Sequence, residues 1–251
     1  MSICLEKASP QERQRIANLL ELLPKGFQTV LEIGARDGYF SKLLLELFPA
    51  VTALDLTLPK IDQPGITPVA GDVTRLEFAA DSFDVVLCSE VLEHIPAKLL
   101  PEAAGNIARV ARHFVVIGVP FEQDLRLDRT TCPHCGRINP PWGHVNSFTM
   151  DGILRLFDGL ELERREYVGR GKERTNALSA WLMNLAGNPW GAYGYGEQCL
   201  HCACQLTPGD AHGLGQRLLA KGAVTLNRVT QKIVKERPVW MHLVFRKPRA
   251  Q

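Results

Sequence analysis

Two cysteine pairs of identical spacing are the most chemically specific feature of the chain. Cys132-Pro-His-Cys135 is followed by glycine, and Cys199-Leu-His-Cys202 repeats the spacing. Two thiolates in a tight turn, supplied twice, make the four-ligand tetrahedral set of a structural zinc. The pairs stand 64 positions apart (199 minus 135), so separate connections must bring them together. Unpaired thiols or two redox turns are the competing reading. His134, His201, His144 and Cys204 are further ligand candidates, and four cysteines form the simpler set. Cys4 and Cys88 read as small apolar fillers.

A second constellation lies at residues 28–40. Thr29 to Ile33 is a short apolar, β-branched run, expected as a buried parallel strand. Gly34 and Gly38 punctuate a tight turn, and Ser41 to Phe48 carries a helical apolar pattern. Strand, glycine turn and helix form the first half of a nucleotide-binding unit, with free N–H groups at the helix start. Glu32 would repel a pyrophosphate at this place. A carboxylate there suits a ligand that carries an amine.

The remaining elements must carry these groups to one edge. Gln11 to Leu23 reads as a helix ahead of the first strand. Strands are expected at Val51–Leu56, Ile66–Val69, Ser82–Ser89, His113–Val119, Leu160–Val168 and Val239–Phe245, with a helix ending near Arg109. Asp55 follows Gly38 by 17 positions (55 minus 38), close to the separation at which such folds set a carboxylate on ribose hydroxyls. Asp72 follows the third strand. Between the last two strands, a helix is expected over Asn176–Ala186 and a glycine- and aromatic-rich loop over Gly187–Gly196. The alternation predicts an α/β fold. Its sheet is doubly wound, mostly parallel and seven-stranded, with an antiparallel last strand. A small zinc-bound loop module is added.

Glu32-x-Gly34-x-Arg36-x-Gly38 resembles motif I of class I S-adenosylmethionine-dependent methyltransferases, acidic-x-Gly-x-Gly-x-Gly, with Arg36 replacing the middle glycine. Phe83-Asp-Val-Val followed by Glu90-Val-Leu-Glu93-His94-Ile resembles the fourth motif of that family. The resemblance covers residues 28–120 well and the rest more loosely. It implies S-adenosylmethionine held by Glu32, Gly34, Ala35, Gly38, Asp55, Leu56, Asp72, Val73, Ser89 and Glu90, with Asp72 on the adenine. One domain over 1–251 is expected, with the cofactor core at 28–120 and loop insertions at 121–150 and 187–212 forming a zinc-bound cap. The run Cys132-x-x-Cys135-Gly, Pro141-Trp-Gly-His144, then a Ser-Phe-Thr helix start resembles bacterial methyltransferases of glycan biosynthesis.

The expected activity is therefore methyl transfer to an oxygen of a small molecule or glycan. An alcohol acceptor needs a base, and His144 and His94 are the candidates. Ubiquinone-type O-methyltransferases carry a similar Glu-x-Leu-Glu-His stretch associated with a divalent cation, which assigns that role to Glu90, Glu93 and His94 if they share a helix face. A catalytically weak cofactor-fold scaffold that binds a partner through its zinc module is the alternative, kept open by Arg36. The charge balance, 29 basic against 27 acidic residues, argues against a nucleic-acid partner. No apolar run approaches the ~20 residues of a membrane helix, so no membrane partner is expected. The charged start lacks a secretory core, and a cytoplasmic protein is expected.

Overall fold

The computed structural model describes residues 9–192, 197–206 and 213–248. Cys4 lies outside the described residues, as do parts of the loops expected at 187–212. The chain divides into two compact units. The first comprises residues 1–121, 148–169 and 238–251, and the second residues 122–147 and 170–237.

The first unit begins with α1 (Pro10–Leu22). Ser9 caps it, accepting from the Glu12 amide, while the Glu12 carboxylate accepts from the Ser9 amide. β1 (Thr29–Ile33), α2 (Tyr39–Leu44), β2 (Ala50–Asp55), β3 (Ile66–Ala70), β4 (Phe83–Ser89), α3 (Leu100–Val110) and β5 (Ala111–Pro120) follow. In the second unit β6 (Thr130–Thr131) pairs with β7 (Ile138–Asn139). The chain returns to the first unit for α4 (Met150–Leu156) and β8 (Glu161–Val168), crosses the second through α5 (Ala177–Leu185) and α6 (Leu214–Ile233), and ends in β9 (Trp240–Arg246).

The sheet order is β3-β2-β1-β4-β5-β9-β8. β9 runs antiparallel to both its neighbours, and the other pairs of this sheet are parallel. This is the expected seven-stranded, doubly wound sheet. Alternate strand residues feed opposite faces. Leu31, Ile33, Val86 and Cys88 join the core under α3 and α4, whereas Val30, Val85 and Leu87 join the core under α1. Both faces are covered, which is why these strands read as unbroken apolar runs.

Two sequence expectations change. The helix expected over Ser41–Phe48 starts at Tyr39, before Ser41, and ends at Leu44, after which the chain turns. The segment after residue 196 contains a 20-residue helix, α6, that the sequence reading did not include. Its start carries Gly213 where a Ser, Thr or Asp would announce a helix, and Gly215 and Gly222 lie inside it. In the second unit, Asp124 accepts from Arg126 and from the Thr175 amide at 2.9 Å, joining the two chain segments of that unit.

Asp84 fixes the relation of β1 to β4. Its Oδ2 accepts from the amides of Gln28 and Thr29, both at 3.0 Å, and from Thr29 Oγ1 at 3.1 Å. Arg112 pairs with Oδ1 at 2.8 Å. Burial alone would raise this carboxyl's pKa, but the donors hold it below its ordinary value. Asp84→Ala strands buried amides, and a urea transition should show a loss of about 3 kcal/mol. Because the native pKa is depressed, the wild-type advantage should be intact above about pH 4 and fade as the pH falls further. An unchanged midpoint would remove Asp84 as the clip.

Candidate functional site

The strand order reverses beside β1, between β2 and β4, and ligands of open α/β sheets bind outside the carboxyl ends of strands at such a point. A cleft lies there. It is lined by Glu32, Gly34, Ala35 and Asp37 from the end of β1, by Ser89 and Glu90 from the end of β4, and by Arg15, Ile16 and Leu19 of α1.

The turn after β1 is built by backbone conformation. Gly34 has φ 86°, and a Cβ there would stand 2.4 Å from Val91 Cγ2. Gly38 has φ 74°, and a Cβ would meet Ile61 at 2.4 Å. Arg36 itself adopts φ 48°. The turn thus closes with a left-handed residue where the motif usually has its middle glycine, at a cost of about 1 kcal/mol. The Arg36 amide donates to Asp55 Oδ2 at 2.9 Å, which holds the turn against the end of β2.

Glu32 is the buried acid of the cleft. Its carboxylate accepts from the Ser41 hydroxyl of α2. Burial pushes its pKa up to about 7, against the Ser41 hydrogen bond, and the nearby Asp37 and Asp55 add repulsion. On the other side, Glu90 has φ 57° and accepts from Trp240 Nε1 at 3.2 Å. Burial raises its pKa, opposed by Arg15. Glu93 is fully buried, and burial together with Glu90 raises its pKa further. Ser89 Oγ, Glu90 Oε1 and Arg15 Nε are enclosed polar atoms without a protein partner among the described residues. Such atoms beside an open cleft fit a ligand that carries both an ammonium and a carboxylate.

The cleft brings together Glu32, Gly34, Ala35, Ser89 and Glu90 of the expected cofactor set. Gly38 and Asp55 belong to the turn that forms its floor. Asp72, Val73 and Leu56 do not line it. Asp72 caps a 3-10 turn by accepting from the Thr74 amide at 2.8 Å, Val73 is buried in the core, and Leu56 is exposed. Glu90, Glu93 and His94 do not share an α-helical face, because Glu90 is left-handed and Leu92–His94 form a 3-10 turn. Glu93 and His94 nevertheless bring ligand atoms within 4.8 Å of each other. His94 is exposed at its end. Arg15 and Ser41 were not singled out by sequence. Nothing in the spacing of α1 distinguishes a cleft-lining arginine from a solvated one.

The second unit holds the four cysteines. Cys132, Cys135, Cys199 and Cys202 place their sulfurs within 4.8 Å of one another. Cys132 to Cys202 and Cys135 to Cys199 are each 3.8 Å apart. A tetrahedron with sulfurs ~2.3 Å from its centre has edges of about 3.8 Å. A disulfide needs ~2.05 Å. Asn139 Nδ2 donates to Cys199 Sγ at 3.5 Å and the His201 amide at 3.4 Å. Burial raises the Cys199 pKa, but these donors and the Cys202 amide outweigh it and bring it down to about 6. The donor set fits zinc. In the same unit His144 is buried, with Nδ1 2.7 Å from Gln123 Oε1. Gln123 Oε1 can only accept, so Nδ1 donates to it.

No curated protein sequence matches the chain. Three solved structures share its fold. The N-methyltransferase NodS from Bradyrhizobium japonicum, in complex with S-adenosyl-L-homocysteine, is 17% identical with TM-score 0.54, over 97% of this chain and 90% of its own. An S-adenosylmethionine-dependent methyltransferase from Mesorhizobium loti is 16% identical with TM-score 0.53, over 97% and 100%. The 1,6-didemethyltoxoflavin-N1-methyltransferase of Burkholderia thailandensis is 16% identical with TM-score 0.54, over 98% and 81%. A family model described as a methyltransferase domain matches residues 7–166, more than half of the chain. The chain therefore belongs to the methyltransferase domain family and is a class I, Rossmann-like S-adenosylmethionine-dependent methyltransferase.

Proposed function

We propose that the chain methylates a hydroxyl oxygen of a small molecule or glycan. The cofactor's sulfonium supplies an electrophilic methyl group when bound. The observation that carries cofactor use is the cleft, which pairs buried Glu32 with Arg15 at a glycine turn. Glu32 suits the ammonium of the methionine moiety and Arg15 its carboxylate. Asp55, with one oxygen engaged by the Arg36 amide, directs the other to the ribose. Asp72 follows β3 outside the lined cleft with Oδ1 on Thr74, and its Oδ2 would meet an adenine that extends past the cleft. Two of the structural relatives are N-methyltransferases by name. Oxygen is favoured here by the glycan-enzyme resemblance of residues 132–149 and by a buried histidine oriented by Gln123. Incubation with labelled cofactor and a panel of hydroxyl and amine acceptors tests the reading, and transfer to amines alone would overturn it.

Glu32 makes cofactor binding pH-dependent. The ionised carboxylate attracts the ammonium, and its pKa in the free protein is about 7. Calorimetry with S-adenosylhomocysteine should show affinity rising up to about tenfold from pH 6 to pH 8. Glu32→Gln should bind more weakly and lose that slope. A flat wild-type profile would remove Glu32 from the ammonium.

His144 is the proposed base, with His94 second. His144→Ala should lower turnover about 100-fold and leave cofactor affinity unchanged. If His94→Ala shows that loss instead, the assignment moves to His94.

We propose zinc at the four cysteines. Metal analysis of purified protein should return about one zinc per chain, and X-ray absorption should show four sulfurs at ~2.3 Å. A closed four-thiolate shell leaves no position for substrate, so the ion is structural. Cys199→Ser should loosen the second unit and leave the first folded. Metal-free protein with four freely reactive thiols would overturn the site.

A further inference from the structure

α6 presents a surface that methyl transfer does not require. Leu214, Leu218, Val229 and Ile233 are large apolar side chains between 55 and 77% exposed. At 3.6 residues per turn they fall within about 100° of arc along the whole helix. Arg217, Lys221, Arg228 and Lys232 are exposed and occupy the adjoining arc of about 60°. The helix holds no acidic residue. Its opposite side is already used against α5. Ala220 and Ala223 are buried, Ser179 Oγ donates to the Ala223 carbonyl at 2.6 Å, and Asn176 donates to Thr230 at 2.8 Å.

An apolar stripe bordered by four cations needs an occupant that is apolar in the middle and anionic at the edge. An antiparallel second copy of α6 would bring cations against cations, and a parallel one would leave the cations without anions. A nucleic acid would satisfy the cations and leave the leucines wet. We propose that α6 docks in the plane of an anionic lipid surface, with the stripe at the acyl boundary and the basic edge against the headgroups. The lack of a long apolar run excludes only a spanning helix. A surface helix is amphipathic and has low mean hydropathy. Such docking would hold the enzyme where acceptors carried on lipids are found.

The test is co-sedimentation of the full chain with vesicles of phosphatidylcholine alone or with 30% phosphatidylglycerol. Anionic vesicles should retain the protein, and neutral ones should retain about tenfold less or weaker still. Lys221→Glu with Arg228→Glu should abolish the preference, and Leu218→Ser with Ile233→Ser should weaken retention on anionic vesicles. All four side chains are exposed, and circular dichroism with metal content checks that the variants fold. Trp181→Ser is the control, since Trp181 is an exposed apolar side chain of α5 and not of α6. Equal retention on both vesicles, retention unchanged in both double variants, or loss in the Trp181 control as large as theirs would overturn the proposal. So would RNA binding, or dimers disrupted by the serine variants, without vesicle binding.

Discussion

The clip between Asp84 and the chain at Gln28–Thr29 is the constraint on which the cofactor cleft depends. Parallel strands have no hairpin to set their register, so a side-chain lock must supply it. Asp84 fixes the amino ends of β1 and β4, and the ladder Val30↔Val85 to Ile33↔Cys88 follows. The carboxyl ends then emerge side by side. Glu32 and Gly34 come from one and Ser89 and Glu90 from the other. A slip of one residue would turn Glu32 toward the opposite face of the sheet. The acid thus occupies the cleft because of a hydrogen-bond set at the far end of the same two strands.

The cleft has an unusual balance of charge. Glu32, Glu90 and Glu93 are all held toward the neutral form by burial, and Glu93 also by Glu90. Arg15 is the cation facing them, and it lies 5.7 Å from the Trp240 ring centroid. The aromatic face offsets part of the arginine's desolvation without neutralising it. The site therefore sets arginines beside several proton-dependent acidic groups, with enclosed atoms lacking partners among the described residues. A zwitterionic amino-acid moiety would complement both sets at once, which is stronger discrimination than either charge alone gives.

What the sequence revealed follows from how each feature is encoded. Buried parallel strands need apolar residues on both faces, so β1, β4 and β5 were legible as runs. Gly34 and Gly38 were legible because close approach and positive φ demand glycine. The cysteine cluster was legible because matched pairs have few other uses. Arg36, Glu90 and Trp142 adopt positive φ without being glycine, and no local signal marks them. Arg15 and Ser41 act through tertiary placement, one on a packing helix and one behind Glu32. α6 was missed because its cap is glycine and Gly215 and Gly222 lie inside it, which weakens the helix signal of an otherwise helically spaced apolar stripe.

The second unit shows why two connections can share one module. It is made of residues 122–147 and 170–237, which the chain enters from β5 and from β8. Each contributes two of the four thiols. Each also contributes to the Asp124 network, in which Arg126 spans to the Thr175 carbonyl at 2.7 Å. Loop closure costs grow slowly with length, so long insertions are tolerated once their ends are fixed. A metal held by the four thiols would close both segments in one step, and its binding energy would become folding energy of the unit. The hydrophobic cluster of Cys132, Cys199 and Leu206 is too small to hold these segments by itself.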